Sequence, residues 1–211
     1  MDLIRFADGK IYTLDRMKGI SVYGEDLRDF GGSIYREWIP WRSKLAALIK
    51  KNGDLPPIPG PILYLGAAQG TTVSHISDLL PDSVVYAVEF SETAYRKLSK
   101  LALERGNIVP ILADAFHPER YSAMVGKVRT LYQDVSQKDQ VGMFLKNSSM
   151  LVPGGSGILM IKARSVDMTK DPAVIYEDIV RTLKDAGWAL EGPIGLDPYQ
   201  SDHACLLLIK Q

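Results

Sequence analysis

The sequence predicts an α/β protein: a mostly parallel sheet with helices on its faces and an antiparallel last strand, preceded by a small β-rich N-terminal domain. Three observations predict it. From residue 62 onward, short β-rich apolar runs alternate with longer amphipathic stretches, the pattern of βαβ units. The last two apolar runs, WALEGPIGL and ACLLLIK, are joined by a connection too short for a crossover helix, so they pair antiparallel. The first forty residues carry the short runs LIRF, KIYTL and ISVYG, broken by Asp-Gly and Lys-Gly turn signals, as a small antiparallel sheet would.

After that sheet, WRSKLAALIKK reads as an amphipathic helix leading into the main domain. GDLPPIPGP at 53 to 61 follows as a proline-stiffened connector, which divides the chain into residues 1–53 and 54–211. Beyond it the strands are predicted at ILYL (62 to 65), VVYAV (84 to 88), IVPIL (108 to 112), VRTLYQD (128 to 134) and GILMIKA (157 to 163). Helices are predicted between them at about 72 to 80, 91 to 105, 138 to 150 and 172 to 186.

With 211 residues, 46% of them hydrophobic and 24% charged, the chain suits one well-buried main domain with a small appendage, not a disordered or fibrous protein. The N-terminal MDLIRFADGKIYTLDR scatters charges and lacks the apolar centre of a signal peptide or anchor, so an intracellular, cytoplasmic protein is expected. The longest apolar run, ACLLLI, is far short of the roughly 20 residues that span a bilayer, and no membrane partner is expected. The one cysteine, Cys205, lies inside that run and reads as a core thiol. Lys plus Arg (25) equals Asp plus Glu (25), so the chain lacks the positive excess of a protein that grips nucleic acid unaided. Residues 1 to 51 carry ten basic and seven acidic side chains, which marks either a face for phosphate or an ordinary solvated surface.

The chemistry begins where ILYL runs into GAAQGTTVSHISDLL. Gly66, Ala67, Ala68 and Gly70 make a small-residue turn that opens a helix, letting backbone approach a ligand. A tight packing turn would use the same residues. Glu89, about twenty residues on and at the end of the next strand, stands where such folds place an acid on ribose hydroxyls. Asp114 follows the third strand and either hydrogen-bonds an adenine amino group or caps a helix. The loop lacks G-x-G-x-x-G, which speaks against a dinucleotide and for a compact adenosyl ligand.

Taken in order, YLGAAQGTTVSHISDL, VYAVEFS, NIVPILADA, QDVSQKDQ, IKARSVD and PYQSDHACLLLIK resemble the fibrillarin family, from about Val22 to the C-terminus. The resemblance implies a Rossmann-like methyltransferase domain on a β-rich N-terminal domain, with S-adenosylmethionine as donor and RNA as acceptor. The reaction it implies is transfer to the ribose 2′-hydroxyl of rRNA and, in archaea, tRNA. The archaeal form is the better likeness, because no Gly/Arg-rich N-terminal tail is present. Cofactor contacts are implied at Gly66, Ala67, Ala68, Gly70, Thr71, Thr72, Glu89, Phe90, Asp114, Ala115, Asp134 and Gln137, and no metal is implied. Gln69 departs from the Ser usual there. Implied partners are a box C/D guide RNA with its target RNA, a Nop-domain scaffold protein and a kink-turn-binding ribosomal-type protein.

The resemblance also maps a catalytic set onto Lys44, Asp134, Lys162 and His203, drawn from four chain regions. Methyl transfer to an alcohol needs in-line alignment and loss of one proton. A lysine near the donor's positive charge in a partly dry site has a lowered pKa. Lys162 is therefore the expected proton acceptor, with Asp134 holding it by charge and Lys44 and His203 orienting the ribose. Alternatively, alignment supplies the rate and the proton leaves to water. His75 and His117 are expected to be structural or surface residues. Trp38 and Trp41 are expected in the core, and Arg36 and Arg42 remain candidate RNA contacts. Three rivals stand: a nicotinamide-dependent oxidoreductase, a non-catalytic assembly protein, and an RNA methyltransferase that needs no guide.

Overall fold

The computed structural model describes residues 2–17 and 19–211. Its N-terminal part is a four-stranded antiparallel sheet in the order β1-β2-β4-β3, from β1 (Ile4–Ala7), β2 (Lys10–Leu14), β3 (Leu27–Asp29) and β4 (Ile34–Glu37). Asp8 (φ 49°) and Gly9 (φ 72°) form the two-residue β1–β2 hairpin, where two positive φ values match the twist of the strands. The expected Lys-Gly turn includes Lys18, which lies outside the described residues. ISVYG is not a strand. The amides of Val22 and Tyr23 donate to the Glu25 carboxylate at 2.9 and 2.7 Å, and the Ser21 hydroxyl joins them at 3.0 Å. A side chain thus takes the donors that a ladder would need.

Helix α1 (Lys44–Asn52) begins on a Ser43 cap and ends at Gly53, whose φ of 81° favours glycine. The main sheet has seven strands in the order β10-β11-β9-β8-β5-β6-β7. These are β5 (Ile62–Leu65), β6 (Val85–Glu89), β7 (Ile108–Leu112), β8 (Val128–Gln133), β9 (Leu151–Lys162), β10 (Ala189–Gly195) and β11 (His203–Ile209). Strands β5 to β9 pair in parallel, and β11 runs antiparallel to both β9 and β10. The crossovers are α2 (Thr71–Leu79), α3 (Glu92–Glu104), a single turn α4 (Ser122–Val125), α5 (Gln140–Asn147), and the pair α6 (Ala163–Val166) and α7 (Pro172–Asp185). β9 begins six residues earlier than the sequence suggests. Pro153, Gly154 and Gly155 are absorbed in an irregularity, where Val128 faces Leu151 but Thr130 faces Ser156.

Side-chain alternation divides the core into two. Ile62, Tyr64, Ile158 and Met160 join α1, α2, α3 and the small sheet's Ile11 and Trp38 on one face. Leu63, Leu65, Leu159 and Ile161 join α5 and α7 on the other. Cys205 is buried, as expected of a core thiol. Among the described residues, no helix is long and apolar enough to cross a membrane.

Arg36 is not an RNA contact. It is wholly buried between the small sheet and α2, donating to Glu25 at 2.6 Å, Asp78 at 2.5 Å and Ser74 at 2.8 Å. Arg105 meets the same Asp78 carboxylate at 3.2 Å. Beside them His75 is structural: it stacks on Trp38, contacts the Thr13 hydroxyl through Nδ1 at 2.7 Å, and contacts the Tyr23 hydroxyl through Nε2 at 2.8 Å. Tyr23 donates its own proton to the Glu37 carbonyl, so Nε2 is the protonated nitrogen and Nδ1 accepts from Thr13.

Burial first, then the Arg36 and Arg105 charges, hold the His75 pKa well below 6.5. The folded state therefore binds fewer protons than the unfolded state below that pH, and stability falls as pH falls. His75 alone should cost about 2 kcal/mol between pH 7 and pH 5, at about 1.4 kcal/mol per pH unit below 6.5. Urea unfolding at both pH values should register this, with a shallower pH slope for His75→Gln; an equal slope in both proteins would contradict it.

Candidate active site

In an open α/β sheet, ligands bind beyond the carboxyl ends of the strands where the strand order reverses. Here the reversal falls between β5 and β8, since β5, β6 and β7 step to one edge before the chain returns to β8. Gly66 after β5 and Asp134 after β8 lie against each other: Gly66 has φ 82°, and a Cβ there would collide with the Asp134 carbonyl. At this crevice opens a cleft of about 230 Å³, lined by the ends of β5, β6, β7 and β8 and by α5.

Eight of the twelve expected cofactor residues line it: Gly66, Ala68, Glu89, Phe90, Asp114, Ala115, Asp134 and Gln137. Glu89 accepts the Ala68 amide at 2.7 Å through Oε2 and the Ser91 amide at 2.7 Å through Oε1, which fixes its carboxylate at the cleft wall. Asp114 accepts the Phe116 amide at 2.8 Å within a turn; it does not cap a helix, because the next helical turn starts at Pro118 behind His117. Phe90 is 69% exposed, an apolar ring open to a planar ligand.

The other four do not line the cleft. Ala67 is buried, and Gly70 (φ 94°) packs so closely that a Cβ would meet Leu101 at 2.5 Å. Thr72 turns inward to the Ser43 hydroxyl at 2.9 Å, and Thr71 faces a neighbouring groove with Gln69 and Lys97. Gln69 itself accepts from the Lys97 ammonium at 3.2 Å, outside the cleft. Residues that sequence reasoning missed are Val88, Ala113, Val135, Ser136 and Met143, which are apolar or small; all but Met143 lie inside the quoted motifs, beside the charged residues that drew attention.

Lys44, Asp134, Lys162 and His203 come together beside this cleft. Lys162 ends β9, and His203 begins β11 directly opposite it in the antiparallel register. Lys44, in the first turn of α1, donates to Asp134 at 2.5 Å, with both side chains less than one-fifth exposed. The ion pair of Asp134 is therefore with Lys44 and not with Lys162, whose ammonium has no hydrogen-bonded or ion-paired partner among the described residues. His203 contacts the Ser201 carbonyl through Nδ1 at 2.6 Å, so Nδ1 carries the proton and Nε2 is left as an acceptor. Burial first, then the Lys44 and Lys162 charges, lowers the His203 pKa against the pull of Asp134. At neutral pH the ring is uncharged.

A buried glutamine ties the two halves of the site together. The Gln140 amide donates to the carbonyls of Gln137 and Lys162 at 3.0 and 3.1 Å and accepts the Lys162 amide at 3.1 Å, while Gln133 donates to its carbonyl at 2.7 Å. Gln140→Leu should slow turnover about tenfold by letting Lys162 and Gln137 drift, and should cost about 1–3 kcal/mol of stability for the unpaired groups. Single-turnover rates and urea midpoints check both; an unchanged rate in a destabilised variant would make Gln140 structural only.

The geometry can be set beside known proteins. The family model described as Fibrillarin matches residues 3–211. The chain is 40% identical to the fibrillarin-like rRNA/tRNA 2′-O-methyltransferase of Methanothermobacter thermautotrophicus, over 99% of this chain and 94% of that protein. It resembles the crystal structure of Aeropyrum pernix fibrillarin in complex with natively bound S-adenosyl-L-methionine, with TM-score 0.86 and 40% identity over 94% of this chain and 88% of that one. It also resembles a chain of a fibrillarin/Nop5p complex, with TM-score 0.88 and 38% identity over 99% and 97% of the two chains.

Proposed function

The chain belongs to the fibrillarin family, and from that premise we propose that it transfers a methyl group from S-adenosylmethionine to the ribose 2′-hydroxyl of RNA, guided by a box C/D RNA. The observation that carries this reading is the meeting of Lys44, Asp134, Lys162 and His203 beside a cleft walled by Glu89 and Asp114.

The donor set fits the cofactor. Two carboxylates suit hydroxyl and amino donors, Phe90 and Ala115 suit a flat base, and Asp134 supplies negative charge for a cationic centre. In this reading Glu89 binds the cofactor's ribose hydroxyls, Asp114 its adenine amino group, and Gly66, Ala68, Asp134 and Gln137 its amino-acid end. When bound, the cofactor supplies an electrophilic methyl group and leaves as a neutral thioether. His203, uncharged and with Nε2 free, accepts a hydrogen bond from the acceptor ribose. Lys44 is held by Asp134 and fixes the same nucleotide. Lys162 would accept the hydroxyl proton that methylation of the ribose releases.

We further propose that residues 1–53 form the N-terminal unit and 54–211 the methyltransferase domain. The targets are rRNA and tRNA, the partners a Nop-domain scaffold and a kink-turn-binding protein. A net charge of zero supports delegation of RNA binding to such partners. The test is labelled-methyl transfer in the complex assembled with both proteins and a matched guide, against the same complex with a mismatched guide. Transfer that depends on the match is expected; equal transfer with either guide would remove the guide from the function.

A further inference from the structure

Trp41 is not a core residue. It is 61% exposed, whereas Trp38 and Trp188 are buried. The reason is local: Arg42 N–H donates to the Ile39 carbonyl at 3.0 Å, closing a turn with Pro40 at its second position and Trp41 at its third. Such a turn holds its third residue out from the chain, and proline stiffens it. Trp41 thereby stands three residues ahead of Lys44.

The opposite wall is built the same way. Tyr199 stands four residues ahead of His203, and its ring meets Trp41 edge-on, with centroids 5.2 Å apart and planes at 70°. The two loops are cross-tied, because Gln200 donates to the Pro40 carbonyl at 3.1 Å and Lys51 to the Asp197 carbonyl at 2.9 Å. The two segments that bring Lys44 and His203 to the site thus each contribute one aromatic ring, and the two rings touch. An indole held rigid and left open forgoes the burial that rings of its size usually obtain. The exposed Arg42 follows it in sequence, and the Lys44 ammonium stands at the site it adjoins, so the surroundings favour a polyanion.

We propose that Trp41, braced by Tyr199, is a stacking platform for a nucleobase of the acceptor RNA strand next to the nucleotide being methylated. This rests on the RNA methyltransferase reading above. Every base offers a π-face to an aromatic ring, so the contact positions the strand without selecting its sequence, as a guided enzyme requires. Its role is positioning: the ring touches the flanking nucleotide and not the reacting atoms.

The test uses the assembled guide complex and single-turnover transfer at increasing target RNA. Trp41→Ala should raise the half-saturating RNA concentration about tenfold, within the range of base–aromatic stacking, with the rate at saturation, the melting temperature and S-adenosylmethionine affinity unchanged. Trp41→Phe should recover most of the loss. An abasic nucleotide at the flanking target position should weaken the wild type as much as Trp41→Ala does, and should weaken the variant little further. If the variant fails instead to join the scaffold protein, the ring is a protein contact and the platform is refuted. Wild-type transfer with an unchanged half-saturation in Trp41→Ala refutes the platform alone, whereas a wild type that methylates no RNA overturns the underlying reading and the platform with it.

Discussion

Replacing Lys162 with Met should slow single-turnover methyl transfer by about 10²-fold or more, the usual contribution of a positioned proton acceptor, while leaving cofactor affinity nearly unchanged. Lys162 stands at the carboxyl end of β9, opposite His203 in register, with its backbone clamped on both sides by Gln140. The methionine keeps the length and apolar stem and deletes only the amine, so the backbone clamp survives. A full rate in Lys162→Met would leave alignment as the source of catalysis and the proton to water. Lys44→Met should behave differently. It strands Asp134 at the edge of the cleft and should weaken RNA and cofactor binding together.

The largest effect on stability is expected at Arg36. Arg36→Met leaves the Glu25 and Asp78 carboxylates buried without their main cation, although Arg105 still reaches Asp78. Breaking one side of a buried pair costs about 3–5 kcal/mol, a large share of a domain stability of roughly 5–15 kcal/mol. Because Arg36 lies on β4 while Asp78 lies on α2, the small sheet should loosen from the main domain before the seven-stranded sheet unfolds. Urea unfolding followed by tryptophan emission would measure this, since Trp38 stacks on His75 in the same contact. A loss below about 1 kcal/mol, the scale of exposed pairs, would show that water reaches this network.

The fold was legible to the extent that it is local. Continuous apolar runs such as ILYL and GILMI mark strands buried on both faces, and the structure sends alternate residues of each to the two cores. The antiparallel β11 was readable from the short connection after β10. What escaped depended on which side chain claims which partner, near or far in sequence. Nothing near Arg36 in IYRE announces two carboxylates 11 and 42 residues away, so a buried arginine looked like a surface one. ISVYG had strand composition, but Glu25 captured its amides.

At the site, the acids that end β6 and follow β7 and β8 were legible because strand ends in this topology meet at one edge. The pairing of Asp134 was not, since the choice between Lys44 and Lys162 depends on where α1 packs. Trp41 did carry a usable signal. Pro40 at the second position of a four-residue turn puts the third residue at the tip, and the exposed ring follows from that turn and not from hydrophobicity.

The central claim is that the acceptor is a ribose 2′-hydroxyl presented to Lys162 and His203 beside the cofactor cleft. The measurement that tests it most directly is transfer of labelled methyl groups, in the assembled guide complex, to target RNAs that carry either ribose or 2′-deoxyribose at the guided position. Labelling of the ribose target alone is predicted. Equal labelling of both would place the methyl group on another atom and contradict the account.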